Sequence, residues 1–251
     1  MSEETAVLTW ENNFITRKEE ELPNQRIFTE FNKVFISGRI ESEFEYSHKT
    51  LWETFYRTRV RVKRLSGAED CVPLIVSNLL IEKHVMNKSL EGKWVEVVGQ
   101  FRSFNKWGED GRRHLELFLF VTLINIYDNE NELEEAANAN LIYLDGYVCR
   151  PPVFRITPLG REIADLFIAI NRSYGKSDYI PCIVWGRLAK AVSKFEVGDR
   201  LQLYGRIQSR KYFKKNLPDG ESRDAYEVSV MTVQKVQDLR LEDNLTVEEN
   251  C

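Results

Sequence analysis

Aromatic and basic side chains alternate along two segments in the second half of the chain. The first segment carries Tyr179 and Trp185, and the second carries Arg206, Arg210 and Tyr212. Unpaired bases stack on aromatic rings, and phosphates are bound by guanidinium and ammonium groups. These residue types therefore predict a surface for single-stranded nucleic acid, on which base stacking and phosphate contacts occur together.

Both segments show the period-two alternation of β-strands, which separates a core face from an exposed face. In the first segment, Ile180, Cys182 and Val184 form an apolar set that suits a barrel interior, and Pro181 and Ile183 share the other face with the rings. In the second, the apolar set is Leu201, Leu203, Gly205 and Ile207, and the other face carries Gln202, Tyr204, Arg206, Gln208, Arg210 and Tyr212. We expect the ring-bearing faces to be exposed. The alternative is that the rings pack on a neighbouring domain or subunit.

The charges of the chain are strongly segregated, although the net charge is only −4. Residues 144–215 carry 14 basic and 6 acidic side chains, a net charge of +8. Residues 128–143 carry five acidic and no basic side chains, and residues 216–251 carry nine acidic and three basic. A basic block between acidic flanks is the electrostatic footprint of a polyanion-binding region.

Three blocks of sequence recur at nearly constant spacing, which indicates two copies of one fold. The blocks at 34–39 and 70–76 recur 108 residues later, and the block at 92–101 recurs 106 residues later. Each copy has short runs of Val, Ile, Leu and aromatic residues broken by Gly, Pro, Asn and Asp, as β-strands do. One helical stretch interrupts each copy, in the second copy at roughly Gly186 to Phe195.

This element order predicts an all-β fold of tandem OB-fold barrels, each a five-stranded Greek key with one inserted helix. Residues 217–220 are expected to form the turn of a long hairpin. The predicted organisation is an acidic N-terminal extension at 1–30, one OB-fold at 31–127, an acidic linker at 128–140, a second OB-fold at 141–237 and a short acidic tail at 238–251.

A long ordered series of short motifs fills residues 142–213. It comprises Leu144-x-Gly146, Pro151 and Pro152, Thr157-Pro158-x-Gly160, Ala164-x-x-x-x-Ala169-x-Asn171-Arg172, the run from Tyr179 to Ala189, Gly198-Asp199, and the run from Gly205 to Arg210 with Tyr212. With this series the segment resembles the bacterial single-stranded-DNA-binding protein family. Residues 34–127 resemble it as a degenerate second copy.

The resemblance implies an OB-fold that binds single-stranded DNA without cutting or modifying it, and so protects it in replication, recombination or repair. By position it implies stacking by Tyr174, Tyr179, Trp185 and Tyr212, with Trp107 of the first copy near the place that matches Tyr212. It implies phosphate contacts by Arg155, Arg172, Arg187, Arg206, Arg210 and Lys211. Since the family commonly assembles four OB-folds, we expect a homodimer of this tandem chain.

The first copy and the acidic tail depart from the family pattern. Cys71 stands at the position that matches Tyr179, and Ser77 at the position that matches Trp185. We therefore expect the first OB-fold to bind DNA weakly or to serve mainly in assembly. Residues 242–251 lack the Pro-Phe tip of the family's usual acidic tail, so replication or repair proteins as partners are left open.

Cysteine spacing and hydropathy narrow the class of protein. Cys71, Cys149, Cys182 and Cys251 form no CxxC pair, so we expect reduced thiols, no metal site and no cofactor. No window approaches the roughly 20 apolar residues of a membrane helix. The first ten residues lack the apolar core of a secretory signal. We therefore expect a cytoplasmic protein that does not contact a membrane.

Three alternatives to the main interpretation remain open. No P-loop, GxSxG, HExxH or nucleotide-binding glycine motif is present, so no enzyme is expected, although a metal-dependent nuclease would be revealed by cleavage of labelled single strands with Mg²⁺. A primosome-like assembly protein, which bridges replication proteins and binds nucleic acid weakly, is the second. RNA binding is the third, because stacking and phosphate contacts do not distinguish sugars.

Overall fold

The computed structural model describes residues 31–64, 66–82, 89–108, 111–133, 140–213 and 222–236. These residues belong to one compact unit that begins at Phe31. The predicted N-terminal extension, the turn at 217–220, the acidic tail and Cys251 lie outside the described residues.

The first copy forms six strands and one short helix. They are β1 (Asn32–Ile40), β2 (Glu45–Lys49), β3 (Thr54–Lys63), β4 (Glu69–Ser77), α1 (Asn78–Ile81), β5 (Trp94–Trp107) and β6 (Arg113–Tyr127). One 3₁₀ turn, Glu130–Glu132, follows in the acidic stretch that was predicted to separate the copies.

The second copy repeats this order of elements. It comprises β7 (Asn140–Val148), β8 (Val153–Ile156), β9 (Glu162–Asn171), β10 (Ser177–Trp185), α2 (Arg187–Val192), β11 (Arg200–Phe213) and β12 (Ser222–Val236). The helix lies inside the stretch that the sequence predicted, and the all-β class with tandem OB-fold barrels is confirmed.

Each copy closes five strands into a barrel. In the first barrel, β1 pairs with both β3 and β5, β3 with β4, and β5 with β6. The parallel pairing of β4 with β6 at Leu74 and Leu119 completes the barrel, and β10 with β12 does the same in the second. The short strands β2 and β8 lie at the two ends of one 12-stranded sheet. They are sixth strands that the sequence did not predict.

The core residues follow the predicted alternation. Ile180, Cys182 and Val184 are buried in the second barrel, as are Leu201, Leu203 and Ile207. Ile183 was assigned to the exposed face and is buried instead. Its strand lies between β9 and β12, where Asp165 and Ser229 are its register partners on either side.

The repeated glycines Gly99 and Gly205 mark a bulge at the same place in both barrels. The pairing register shifts at Val98/Gly99 in the first barrel and at Tyr204/Gly205 in the second. A Cβ atom would clash with the Phe120 carbonyl oxygen at Gly99, and with the Ser229 carbonyl oxygen at Gly205. Only glycine permits this close approach of backbones, which bends a long strand around its barrel.

The two barrels join through their first strands. β1 pairs antiparallel with β7, and Val34 is the register partner of Ile142, the residue 108 positions later. Equivalent residues therefore face each other at the centre of the pairing. This relation places the two barrels about a pseudo-two-fold axis through that pair.

Each barrel has one buried aspartate that is hydrogen-bonded to the long hairpin of the other barrel. The Ser103 N–H on β5 donates to Asp178 Oδ1 at 2.6 Å, and the Tyr179 N–H donates to Ser103 Oγ at 2.8 Å. By the pseudo-symmetry, Ser209 N–H donates to Asp70 Oδ1 at 2.8 Å. We call these contacts the two clasps. They bring the β5–β6 hairpin beside β10, and the β11–β12 hairpin beside β4.

Candidate nucleic-acid interface

The outer face of β10 carries two of the predicted stacking rings. Tyr179 is 41% exposed and Trp185, the last residue of the strand, is 39% exposed. Their register partners on β9 are Ala169 and Ile163. The small side chain of Ala169 is consistent with the exposure of the ring beside it.

A third ring, Phe167 on β9, belongs to the same face and was missed in the sequence. Its centroid lies 6.4 Å from that of Tyr179, with the ring planes 17° apart. The Arg150 guanidinium carbon lies 4.5 Å from the Phe167 centroid. The alternation along β9, in which Leu166 and Ile168 are buried, was the signal that could have placed Phe167 outside. We call Phe167, Tyr179 and Trp185 the aromatic face.

The other two predicted stacking residues of the second barrel, Tyr174 and Tyr212, lie in the β9–β10 turn and on β11. Tyr174 is 99% exposed in the turn between β9 and β10, with a positive φ of 75°. A left-handed conformation is uncommon for a residue other than glycine. Tyr212 lies on β11 opposite Arg223, and its side chain falls outside the described residues.

Trp107 ends β5, in the first barrel's long hairpin. It is 64% exposed, and the Arg113 guanidinium carbon lies 4.9 Å from its ring. Phe104, on the same strand, is also exposed. Because Ser103 bonds to Tyr179, this hairpin borders the aromatic face of the second barrel.

Two of the predicted phosphate-binding arginines are hydrogen-bonded to carboxylates. Arg155 on β8 forms a two-pronged pair with Asp165, at 2.7 and 3.0 Å, with both side chains nearly half exposed. Arg172 donates through Nε to the buried carboxylate of Asp178 at 2.6 Å and through Nη2 to the Ser103 carbonyl at 2.9 Å. Arg172 is therefore part of a clasp.

The other predicted cations lie on α2 and β11. Arg187, at the start of α2, and Lys211 are exposed. Arg210 is exposed and lies 3.8 Å from Glu227. Arg206 is half-buried, and its pKa is lowered by burial first and by the neighbouring Arg64 second. A guanidinium remains charged under all ordinary conditions, so the shift reports mainly the burial of the Arg206 side chain, with a smaller effect of Arg64.

The first barrel has no aromatic ring at the two positions that are equivalent to Tyr179 and Trp185, which are occupied by Cys71 and Ser77. The Cys71 thiol donates to Glu41, which also bonds to Arg61. Burial and the bond to Glu41 raise the Cys71 pKa to about 12. Ser77 is buried and caps α1, accepting from the Leu79 N–H at 3.2 Å.

The thiols and acidic groups give no metal site in the described part of the chain. No group of three or more His, Cys, Asp or Glu side chains there is placed to hold a metal ion. Cys71, Cys149 and Cys182 are free thiols. None of the described helices is long and apolar enough to cross a membrane.

Comparison with known proteins identifies the second barrel. Residues 139–236 match the model of the single-strand binding protein family. Over 102 residues the chain is 31% identical to single-stranded DNA-binding protein 3 of Clostridium acetobutylicum, covering 38% of this chain and 69% of that protein. This chain belongs to the single-strand binding protein family.

Other relatives match over a smaller part of their length. The single-stranded DNA-binding protein of Halalkalibacterium halodurans is 31% identical over 99 residues, which is 37% of this chain and 56% of that protein. The chain therefore spans between about half and two thirds of the curated relatives it matches.

Solved structures extend the likeness to both barrels. The wild-type single-stranded DNA binding protein from Thermus aquaticus matches with a TM-score of 0.64 and 18% identity, over 82% of this chain and 93% of that one. A deletion mutant of that protein matches with a TM-score of 0.63 and 20% identity, over 84% of this chain. Because both identities are below 25%, this likeness establishes the fold alone.

Proposed function

We propose that this protein binds single-stranded DNA without regard to its sequence, through the aromatic face of the second barrel. The observation that carries the proposal is the row formed by the Arg150 guanidinium, the stacked rings of Phe167 and Tyr179, and the ring of Trp185 on one exposed surface. The family to which the chain belongs supports it. We also propose that the two barrels are two domains, with the bounds 31–127 and 141–237.

Stacking explains both the affinity and the lack of sequence preference. Every base presents a π-face, and each stacked base contributes roughly 1–3 kcal/mol. Trp107 and the β5–β6 hairpin of the first barrel extend this surface. Tyr174 stands near that hairpin on the β9–β10 turn, two residues after Arg172, which donates to the Ser103 carbonyl. Tyr212 is kept in the proposal on its backbone position alone.

Phosphate contacts are best supplied by the exposed cations around the aromatic face. Arg187, Arg210 and Lys211 have exposed side chains, and Arg155 could exchange its exposed partner Asp165 for a phosphate. We propose that the half-buried Arg206 attracts phosphate through its charge. Arg172 is left out, because binding a phosphate would require it to abandon the buried carboxylate of Asp178.

The experiment is a fluorescence titration with poly-dT and with duplex of the same length, at two salt concentrations. We expect quenching by the single strand alone, weakened by salt. Trp185→Ala should lower the affinity by roughly 1–3 kcal/mol. Trp52→Ala is the matched control, because Trp52 is 87% exposed on the first barrel and outside the aromatic face. Equal affinity of Trp185→Ala and wild type, with an intact fold, would reject the stacking assignment.

We propose that the protein protects single strands in replication, recombination or repair, and that two chains assemble to present four OB-folds. Sedimentation of the free protein at micromolar concentration tests the assembly. A monomer at every concentration and on every length of poly-dT would contradict it.

An assembly role remains the second candidate, because one specific feature of the first barrel favours it. Leu51 and Trp52, at the tip of the β2–β3 hairpin, are 89% and 87% exposed. Apolar side chains this exposed are typical of protein contacts. A pull-down that retains a helicase or primase after nuclease treatment, and loses it with Trp52→Ala, would support this role.

A further inference from the structure

The outer face of the first barrel carries a row of basic side chains on β3. Arg57, Arg59, Arg61 and Lys63 occupy alternate positions, and all four are exposed. Thr58, Val60 and Val62 between them are buried. We call these four residues the basic row.

The basic row replaces part of the aromatic face of the second barrel. The register equates Arg61, which pairs with Cys71, with Ala169, which pairs with Tyr179. The positions equivalent to the basic row are therefore Asp165, Phe167, Ala169 and Asn171. Four cations in the first barrel stand where the second has one carboxylate, one ring and two neutral side chains.

Two members of the basic row have no ion pair within the described residues. Arg61 is bonded to both Glu41 and Glu69, and Arg57 has one long contact of 3.5 Å with Glu116. No carboxylate of the described chain forms an ion pair with Arg59 or Lys63. Arg59 and Lys63 therefore keep exposed charges, although the charge of Arg59 also helps to lower the pKa of Glu41. Arg57 can exchange its weak contact.

The spacing of the basic row suits an extended polyanion. Alternate side chains of a strand are about 6.6–6.8 Å apart, which is close to the separation of successive phosphates in an extended single strand. The row also adjoins the basic end of β11. Cys71, the register partner of Arg61, donates its N–H to Ser209 Oγ at 3.1 Å, and Arg210 and Lys211 follow directly in the chain.

We propose that the basic row binds the phosphodiester backbone of the same single strand whose bases stack on the second barrel. The first barrel then contributes charge in place of stacking, with Arg59 and Lys63 as the principal phosphate contacts and Arg57 as the third. This inference rests on the proposed function. It assigns a binding surface to a barrel whose stacking positions are lost.

The test is the salt dependence of poly-dT binding by the double variant Arg59→Gln/Lys63→Gln. Each phosphate contact on a single strand contributes about 0.7 to the slope of log affinity against log salt concentration. The double variant should lower that slope by about 1.4. Its maximal fluorescence quenching should equal that of wild type, because the aromatic face is unchanged.

Two control variants separate local contacts from net charge. Lys49→Gln/Lys194→Gln removes two exposed charges elsewhere and should leave the slope at the wild-type value. The exchange Arg59→Lys/Lys63→Arg keeps both charges in the row and should retain the wild-type slope. Equal thermal unfolding temperatures would show that all variants are folded.

The outcomes distinguish this inference from the proposed function. If wild type binds and is quenched by poly-dT but the double variant keeps the wild-type slope, the inference alone is overturned. An equal loss of slope in the Lys49/Lys194 control would also overturn it, because net charge would then suffice. Loss of duplex binding with poly-dT binding unchanged would assign the row to double-stranded DNA instead. Failure of wild type to bind poly-dT would overturn both proposals.

Discussion

Cys71 and Tyr179 occupy equivalent positions in the two barrels, but one contacts charged side chains and the other contacts an aromatic ring. Tyr179 stacks on Phe167 and is exposed, whereas Cys71 donates to Glu41 within an ion-paired group that includes Arg61 and Glu69. The bond to Cys71 and the charge of Arg61 lower the pKa of Glu41. The Glu41 carboxylate repels phosphate. Arg59 and Lys63, which lie two residues to either side of Arg61 on β3, must therefore supply any attraction.

Alkylation measures how strongly this group holds the Cys71 proton. Burial first and the bond to Glu41 second raise the pKa of Cys71 to about 12, so far less of this thiol is ionised at pH 8 than of a free cysteine. We expect Cys71 to react slowly with iodoacetamide at pH 8, and the rate to rise with pH toward 12. Glu41→Gln removes the acceptor and negative charge that raise the pKa, so its Cys71 should react several-fold faster. Peptide mapping by mass spectrometry gives the rate, and an equal rate in both proteins would contradict the role of Glu41.

At the scale of elements, the clasps set where the long hairpins lie. In each clasp a buried aspartate of one barrel accepts from the N–H of a serine on the other barrel's hairpin, and an arginine pairs with the aspartate. The hydroxyl of that serine accepts from the backbone N–H that follows the aspartate. A buried carboxylate is tolerated when it accepts several hydrogen bonds and has a charged partner. The clasps therefore fix Ser103 beside Tyr179, and with it the border of the aromatic face.

Asp178→Asn tests a clasp at this scale. The substitution removes the charge that pairs with Arg172 and weakens the bond to the Ser103 N–H, so we expect a loss of about 3 kcal/mol in the free energy of unfolding. Asp165→Asn removes the same charge from an exposed pair with Arg155 and should cost less than about 1 kcal/mol. Urea denaturation measures both. Equal losses in the two variants would show that the clasp contributes no more than a surface ion pair.

At the scale of the whole molecule, a pseudo-symmetric frame carries two unlike surfaces. The β1–β7 pairing relates the barrels about Val34 and Ile142, yet one outer face is aromatic and the other is basic. Stacking gives tight binding that resists salt better than phosphate contacts alone. The chain should therefore have one strong site for a short strand, although it has two barrels.

Stoichiometry tests this asymmetry. An oligonucleotide of about 10 nucleotides falls within the range of site sizes of a single OB-fold. At a salt concentration that screens purely electrostatic binding, we expect one such strand per chain by isothermal titration calorimetry. Trp185→Ala should weaken this one site. Two equal sites per chain would contradict the unequal roles assigned to the barrels.

Much of the fold and part of the candidate site could be predicted from local patterns. Alternation in Tyr179–Trp185 identified the buried set Ile180, Cys182 and Val184, because neighbouring side chains of a strand point to opposite faces whatever the strand pairs with. The same rule would have placed Phe167 outside. It could not show that Ile183 is covered, since that depends on the strands to either side.

The sequence by itself determined the all-β class, the buried sets of β10 and β11, the two copies and the family, because these depend on residue types at fixed local spacing. Only the tertiary structure decided which charges are free. Arg172 and Arg59 are indistinguishable as sequence letters, yet one is held by a buried aspartate and the other stands exposed in the basic row. The β1–β7 pairing and the clasps were also decided there, because a partner distant in the chain leaves no local trace.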